Sequence, residues 1–127
     1  MFRYNLFRKT FRTGMKIAQI SEIVEGRILC GESTEEEVAC AFASDLMSDV
    51  LTLNSEHLLL ITGLSNMQTI RTAEMADIRY ILFVRNKIPT NDMIELANAN
   101  KIVVLTTPLS MYKTCGNLFG SGLDPVY

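Results

Sequence analysis

The chain has 127 residues, 48% of them hydrophobic and 8% aromatic, with 12 Lys and Arg against 14 Asp and Glu. That is the make-up of one ordinary globular domain, and it excludes a fibrous chain, a disordered chain and, at this length, two separate cores. The longest apolar runs, at 58–61 and 80–84, fall far short of the roughly 20 residues that span a bilayer, so no membrane partner is expected.

In chain order the first fourteen residues stand apart. Phe2, Tyr4, Phe7 and Phe11 interleave there with Arg3, Arg8, Lys9 and Arg12, and no acidic residue balances them. Such a head fits stacking on bases, lying on anionic lipid, or a presequence. The plainer reading is an upstream extension, because Met15 opens what looks like a natural domain start. The chain is therefore divided into an extension at 1–14 and a single domain at 15–127.

From Met15 onward the apolar spacing switches between helical and strand periods. Ile17, Ile20, Ile23 and Val24 share one face of a short helix, after which 27–30 reads as a strand ending at Gly31. The acidic stretch 32–37 reads as a solvated loop and 38–43 as a strand of small residues. Ser44 or Asp45 is placed as the N-cap of a helix that turns Leu46, Met47, Val50 and Leu51 inward. Residues 58–62 form a buried strand, which runs through Gly63 to Ser65 and Asn66. Either of these caps a helix carrying Met67, Ile70, Ala73 and Met75. The strand at 80–84 is apolar throughout, as expected where both faces are covered. Arg85, Asn86 and Lys87 end it, and Thr90 caps a helix with Met93, Ile94, Leu96 and Ala97 inward. A fifth strand at 102–105 leads through Thr106, Thr107 and Pro108 into a last helix near 110–118, and the tail to Tyr127 reads as loop.

Three successive strand, loop and helix units with doubly covered strands predict an α/β three-layer sandwich. It has a mostly parallel sheet of about five strands with helices on both faces. In such sheets ligands bind beyond the carboxyl ends of the strands. The loops there offer Ser44, Asp45 and Ser48, then Thr62, Gly63, Ser65, Asn66 and Gln68, then Arg85, Asn86 and Lys87, and last Thr106, Thr107 and Ser110. Thr62 and Gly63 bring backbone amides to an anion, Arg85 and Lys87 neutralise phosphate or carboxylate, and the hydroxyls add hydrogen bonds. The same residue types also serve as caps, turn formers and snorkelling cations.

Outside the head the chain has eight basic and fourteen acidic residues, a net −6, which argues against nucleic acid as a partner. Cys30, Cys40 and Cys115 form no C-x-x-C pair and His57 is the one histidine, so no metal site is expected. Cys30 and Cys40 read as small core residues of a cytoplasmic protein. Asp45 and Asp49, four apart, would share a helical face, but a cap and a solvated carboxylate explain them as well. No P-loop, G-x-G-x-x-G or G-x-S-x-G pattern occurs. The chain reads as a module that binds, senses or bridges, with neither catalytic residues nor a cofactor.

Ala43-Ser44-Asp45-Leu46-Met47-Ser48-Asp49-Val50-Leu51, followed by Leu59-Leu60-Ile61-Thr62-Gly63-Leu64, resembles the DRTGG domain family in its short stand-alone form. Arg71-Thr72-Ala73-Glu74, Phe83-Val84-Arg85-Asn86-Lys87 with Pro89, Ile94-Glu95-Leu96-Ala97, and Leu105-Thr106-Thr107 with Cys115-Gly116 fit the same succession. The resemblance spans 15–123. Where relatives carry Asp-Arg after the central strand this chain has Leu64-Ser65, and Arg85-Asn86-Lys87 stands in place of Thr-Gly-Gly. Similar domains are accessory modules of nucleotide-regulated pyrophosphatases and phosphate acetyltransferases, and a similar fold begins HPr kinase/phosphorylase. The resemblance thus implies a bacterial, cytoplasmic homodimer that regulates and does not catalyse, binding a small anionic ligand such as an adenine nucleotide. The alternative it implies is a ligand-free assembly module. This would dock Met67, Met75 and Met111 onto a redox enzyme of the hydrogenase type or a signalling kinase.

Overall fold

The computed structural model describes residues 14–31 and 35–127; the expected extension, up to residue 13, lies outside the described residues. The chain runs β1 (Met15–Lys16), α1 (Ile17–Ile23), β2 (Arg27–Cys30), β3 (Glu37–Val38) and β4 (Cys40–Ala43). It continues through α2 (Met47–Val50), β5 (Leu58–Thr62), α3 (Met67–Met75), β6 (Tyr80–Phe83), α4 (Asn91–Ala99), β7 (Val103–Thr106), α5 (Met111–Gly120) and β8 (Asp124–Pro125). One sheet has the order β2-β7-β6-β5-β4-β8, parallel throughout except for β2, which runs antiparallel along β7. β1 and β3 form a separate antiparallel pair. This is the α/β three-layer sandwich expected from the sequence, with six strands in its main sheet.

Strands β5, β6 and β7 are buried at every position because alternate side chains enter two different cores. Leu58 and Leu60 point to one side with Met47, Val50, Ile70, Ala73, Met93 and Ala97 from α2, α3 and α4. Leu59 and Ile61 point to the other with Ile17, Ile20 and Leu118 from α1 and α5. Each fully buried Leu or Ile contributes about 1.5–3 kcal/mol relative to exposure. β4, β5, β6 and β7 follow one another in a single direction across the sheet, so right-handed crossovers put all three intervening helices on one face. α5 then returns across the opposite face and sets β8 beside β4.

Several local expectations are corrected. The strand at 38–43 is split at Ala39, whose N–H donates to the His57 carbonyl at 2.7 Å: β3 pairs with β1 while β4 enters the main sheet. Neither Ser44 nor Asp45 caps α2 with its side chain: Leu46 is the N-cap, without a side-chain bond. That helix is a single turn, so only Met47 and Val50 face inward and Leu46 and Leu51 are exposed. The acidic run is not a solvated loop throughout. Lys16 Nζ pairs with Glu35 at 2.8 Å, and Glu36 accepts from the Tyr80 hydroxyl and from Arg79 Nη2, both at 3.2 Å. The buried Tyr80 ring needs a partner for its hydroxyl, and Glu36 supplies it. The tail is not all loop, since α5 runs on to Gly120 and β8 pairs Asp124 with Cys40.

Candidate functional site

Four adjacent parallel strands end side by side, so the loops after β4, β5, β6 and β7 converge on one edge of the sheet. The centre of that edge is the start of the β5–α3 loop. Thr62 is fully buried, and its Oγ1 donates to Asp45 Oδ1 at 3.0 Å while accepting from Leu64 N at 3.1 Å. Gly63 N donates to the same Asp45 oxygen at 2.7 Å. Arg85 lies over these groups, with Nη2 at 3.9 Å from Asp45 Oδ2 and 3.5 Å from the Gly63 carbonyl. Gly63 makes room for it, because a β-carbon there would stand 2.8 Å from Arg85 Cζ and 3.0 Å from Nε.

The loop after β6 is bent in an uncommon way. Arg85 and Asn86 both have φ of 60°, in the left-handed region, at a cost on the order of 1 kcal/mol each. Their N–H groups donate to the carbonyls of Leu109 at 2.8 Å and Thr107 at 2.9 Å, which offsets that cost and ties this loop to the one after β7. The threonines of the latter loop are structural. Thr106 Oγ1 donates to the Lys87 carbonyl at 2.8 Å, and buried Thr107 Oγ1 donates to the Val24 carbonyl at 2.6 Å.

Three other polar residues of the edge act as expected of caps. Asn66 Oδ1 accepts from Thr69 N at 3.1 Å, Ser110 Oγ from Lys113 N at 3.1 Å, and Thr90 Oγ1 from Met93 N at 3.3 Å. Ser44 Oγ accepts from Leu46 N at 2.9 Å in the loop after β4. Gln68, Asn86 and Lys87 are exposed around the centre. The edge therefore divides into cap residues and a cluster of Asp45, Thr62, Gly63 and Arg85. The side chains of Asp45 and Arg85 are 49% and 51% exposed, so their ion pair contributes under about 1 kcal/mol and the two hydrogen bonds hold the carboxylate.

Other sequence candidates lie elsewhere. Asp45 precedes α2 and Asp49 lies within it, so the two do not form a helical pair. His57 is exposed at the start of β5, at the opposite edge of the sheet. Among the described residues no cluster of three His, Cys, Asp or Glu side chains is placed to hold a metal ion. Burial pushes the Cys30 and Cys115 thiols up from their ordinary values, away from the thiolate a redox thiol needs. Met67 packs against one core and Met111 against the other, with only Met75 exposed. The expected three-methionine surface is therefore not a single face.

A cleft of about 520 Å³ at the opposite edge is lined by Gly31, Glu36, Arg79, Asn98 and Lys101 among others. Beside it lies one of about 350 Å³. A groove of about 170 Å³ runs along α5 past Cys115 and Phe119. No residue of the Asp45, Thr62, Gly63 and Arg85 cluster lines any of these three; with the Asp45 and Arg85 side chains half exposed, that cluster is an open shelf. The group of Glu36, Arg79 and Tyr80 was not foreseen, because Glu36 is 44 positions from Tyr80 and no local spacing joins them.

No protein-family model and no curated protein matches the sequence. In fold the chain is similar to a crystal structure of the CBS and DRTGG domains of the regulatory region of a Clostridium perfringens pyrophosphatase, complexed with its activator, diadenosine tetraphosphate. The TM-score is 0.65 at 16% sequence identity. The likeness covers 98% of this chain and 57% of that one, so this chain spans a little over half of the other's length. At that identity the likeness is one of fold: the chain shares its architecture with part of a regulatory region.

Proposed function

We propose that the protein is a non-catalytic regulatory module that binds a small anionic ligand of the adenine nucleotide class at the strand-end shelf and modulates a partner, acting as a homodimer. The observation that carries this reading is the convergence of the Gly63 N–H, the Thr62 hydroxyl and the Arg85 guanidinium on one carboxylate. That is the donor set an anion requires. Lys87, exposed in the same loop, adds a second cation. The similarity in fold to a regulatory region that was crystallised with diadenosine tetraphosphate supports the ligand class.

The test is a thermal-shift series on the full chain with diadenosine tetraphosphate, ATP, GTP and inorganic phosphate. A nucleotide at one hundred times its Kd stabilises the fold by about 2.7 kcal/mol, which raises Tm by several degrees. The shift disappears in the double variant Arg85→Gln, Lys87→Gln. No shift with any nucleotide refutes the reading.

A second reading, a ligand-free assembly or dimerisation module docking onto a redox enzyme of the hydrogenase type or a signalling kinase, is favoured by the apolar side chains left in solvent. Met75 is 69% exposed, and Leu46, Ile88 and Phe119 are each more than half exposed. Under this reading Met75→Glu lowers the oligomeric state measured by light scattering, and neutralising Arg85 and Lys87 leaves it unchanged.

A further inference from the structure

We infer that Asp45 is an internal anion: its carboxylate fills the seat made by the Gly63 N–H, the Thr62 hydroxyl and the Arg85 guanidinium, and a phosphate group binds by displacing it. The inference rests on reading the strand ends as an anion site, and it adds how that site is kept closed.

The hydrogen-bond directions define the seat. Thr62 Oγ1 accepts from Leu64 N, which occupies one side of the oxygen and leaves the hydroxyl proton to point at Asp45. Gly63 N points at the same carboxylate oxygen. Both donors belong to buried residues at the end of the central strand, so they cannot be left without an acceptor at small cost. Whatever removes Asp45 therefore has to bring oxygens of its own.

Asp45 is not otherwise committed. It lies between β4 and the single turn of α2, whose N-cap is Leu46, and the nearby Leu46 N is served by Ser44 Oγ. Its side chain is half exposed and its ion pair with Arg85 is long, at 3.9 Å. A phosphate offers more acceptor oxygens and up to one further negative charge, and it is free to approach the guanidinium in a bidentate geometry that the tethered carboxylate does not reach. The flanking Lys87 and Gln68 are exposed on the same edge. Exchange of one anion for another thus keeps every donor satisfied.

Inorganic phosphate, titrated into the full-length wild type and Asp45→Ala with the Gly63 amide followed by NMR, tests this directly. The expected result is a Kd at least tenfold lower in Asp45→Ala, a saturating shift of the Gly63 amide, and loss of both in Asp45→Ala, Arg85→Gln. Equal phosphate affinity in the two proteins, or binding that leaves the Gly63 amide unmoved, overturns the inference. Asp45→Asn, which keeps an acceptor oxygen and loses the charge, serves where the alanine variant does not fold, with a smaller gain in the same direction. Diadenosine tetraphosphate on the same proteins separates the two ideas. Tighter phosphate binding in Asp45→Ala with no nucleotide response in either protein refutes the nucleotide reading and upholds the seat. Nucleotide binding that weakens on losing Asp45 makes it a ligand contact and overturns the seat.

Discussion

Thr107 Oγ1 donates to the carbonyl of Val24 at 2.6 Å, joining two fully buried residues that are 83 positions apart. The bond ties the end of α1 to the end of β7 at the point where the chain turns back into β2. Gly26 allows that return, since a β-carbon there would stand 2.6 Å from the Thr106 carbonyl oxygen. The same hydroxyl accepts from Leu109 N at 3.1 Å, so it also shapes the loop that receives the Arg85 N–H. Thr107→Val leaves a buried carbonyl and an amide without this partner, and it is expected to cost about 1–3 kcal/mol. Urea denaturation checks this, and an unchanged midpoint contradicts it.

Gly63→Ala tests the shelf without testing the fold. The three atoms nearest the added methyl all belong to the flexible end of Arg85, which swings away, so stability falls by under about 1 kcal/mol. The guanidinium no longer lies over Asp45 and the anion response is lost. The Arg85 Nε resonance and the denaturation midpoint report the two effects separately. A variant that still binds anions with wild-type affinity shows that Arg85 is not part of the site.

Thr114 is fully buried in α5, and its Oγ1 has no hydrogen-bond partner among the described residues. Replacing it by the isosteric valine removes a buried polar atom and keeps the volume. Thr114→Val is therefore expected to stabilise the protein by about 1 kcal/mol. A loss of stability in calorimetry would mean that the hydroxyl is bonded.

Alkaline pH weakens the fold through three groups. Burial pushes the Cys30 and Cys115 thiols up, and burial followed by the Glu36 carboxylate pushes the Tyr80 phenol up. Each group keeps its proton longer in the folded chain than in the unfolded one. Their contribution is therefore complete below the unfolded values, about 8.5 for Cys and 10 for Tyr, and is lost as pH rises through the folded ones. The denaturation midpoint is expected to hold steady from pH 7 to 8 and to fall above about pH 9. A flat profile to pH 10.5 rules this out.

What was legible in the sequence shares one physical property: it is local. The helix start at Thr90 shows, and the starts near Asn66 and Ser110 show to within a residue, because a cap bonds the N–H three residues on. The strands at 58–62 and near 80–84 show because burial on both faces demands an unbroken apolar run. Where two local signals competed, tertiary contacts decided. Asp45 has the chemistry of a helix cap, yet it turns to the Gly63 amide because that donor is buried and otherwise unserved.

The sequence by itself determined the α/β class, the succession of the central strands and helices from β5 to α5 and the polar character of the strand ends, since these follow from periodicity and capping within a few residues. Only the tertiary structure decided that α2, α3 and α4 share one face, that β8 closes the far edge, and that Asp45, Thr62, Gly63 and Arg85 meet. Those contacts join residues 17 or more positions apart. Strand order and crossover hand bring them together, and no spacing along a single chain records either.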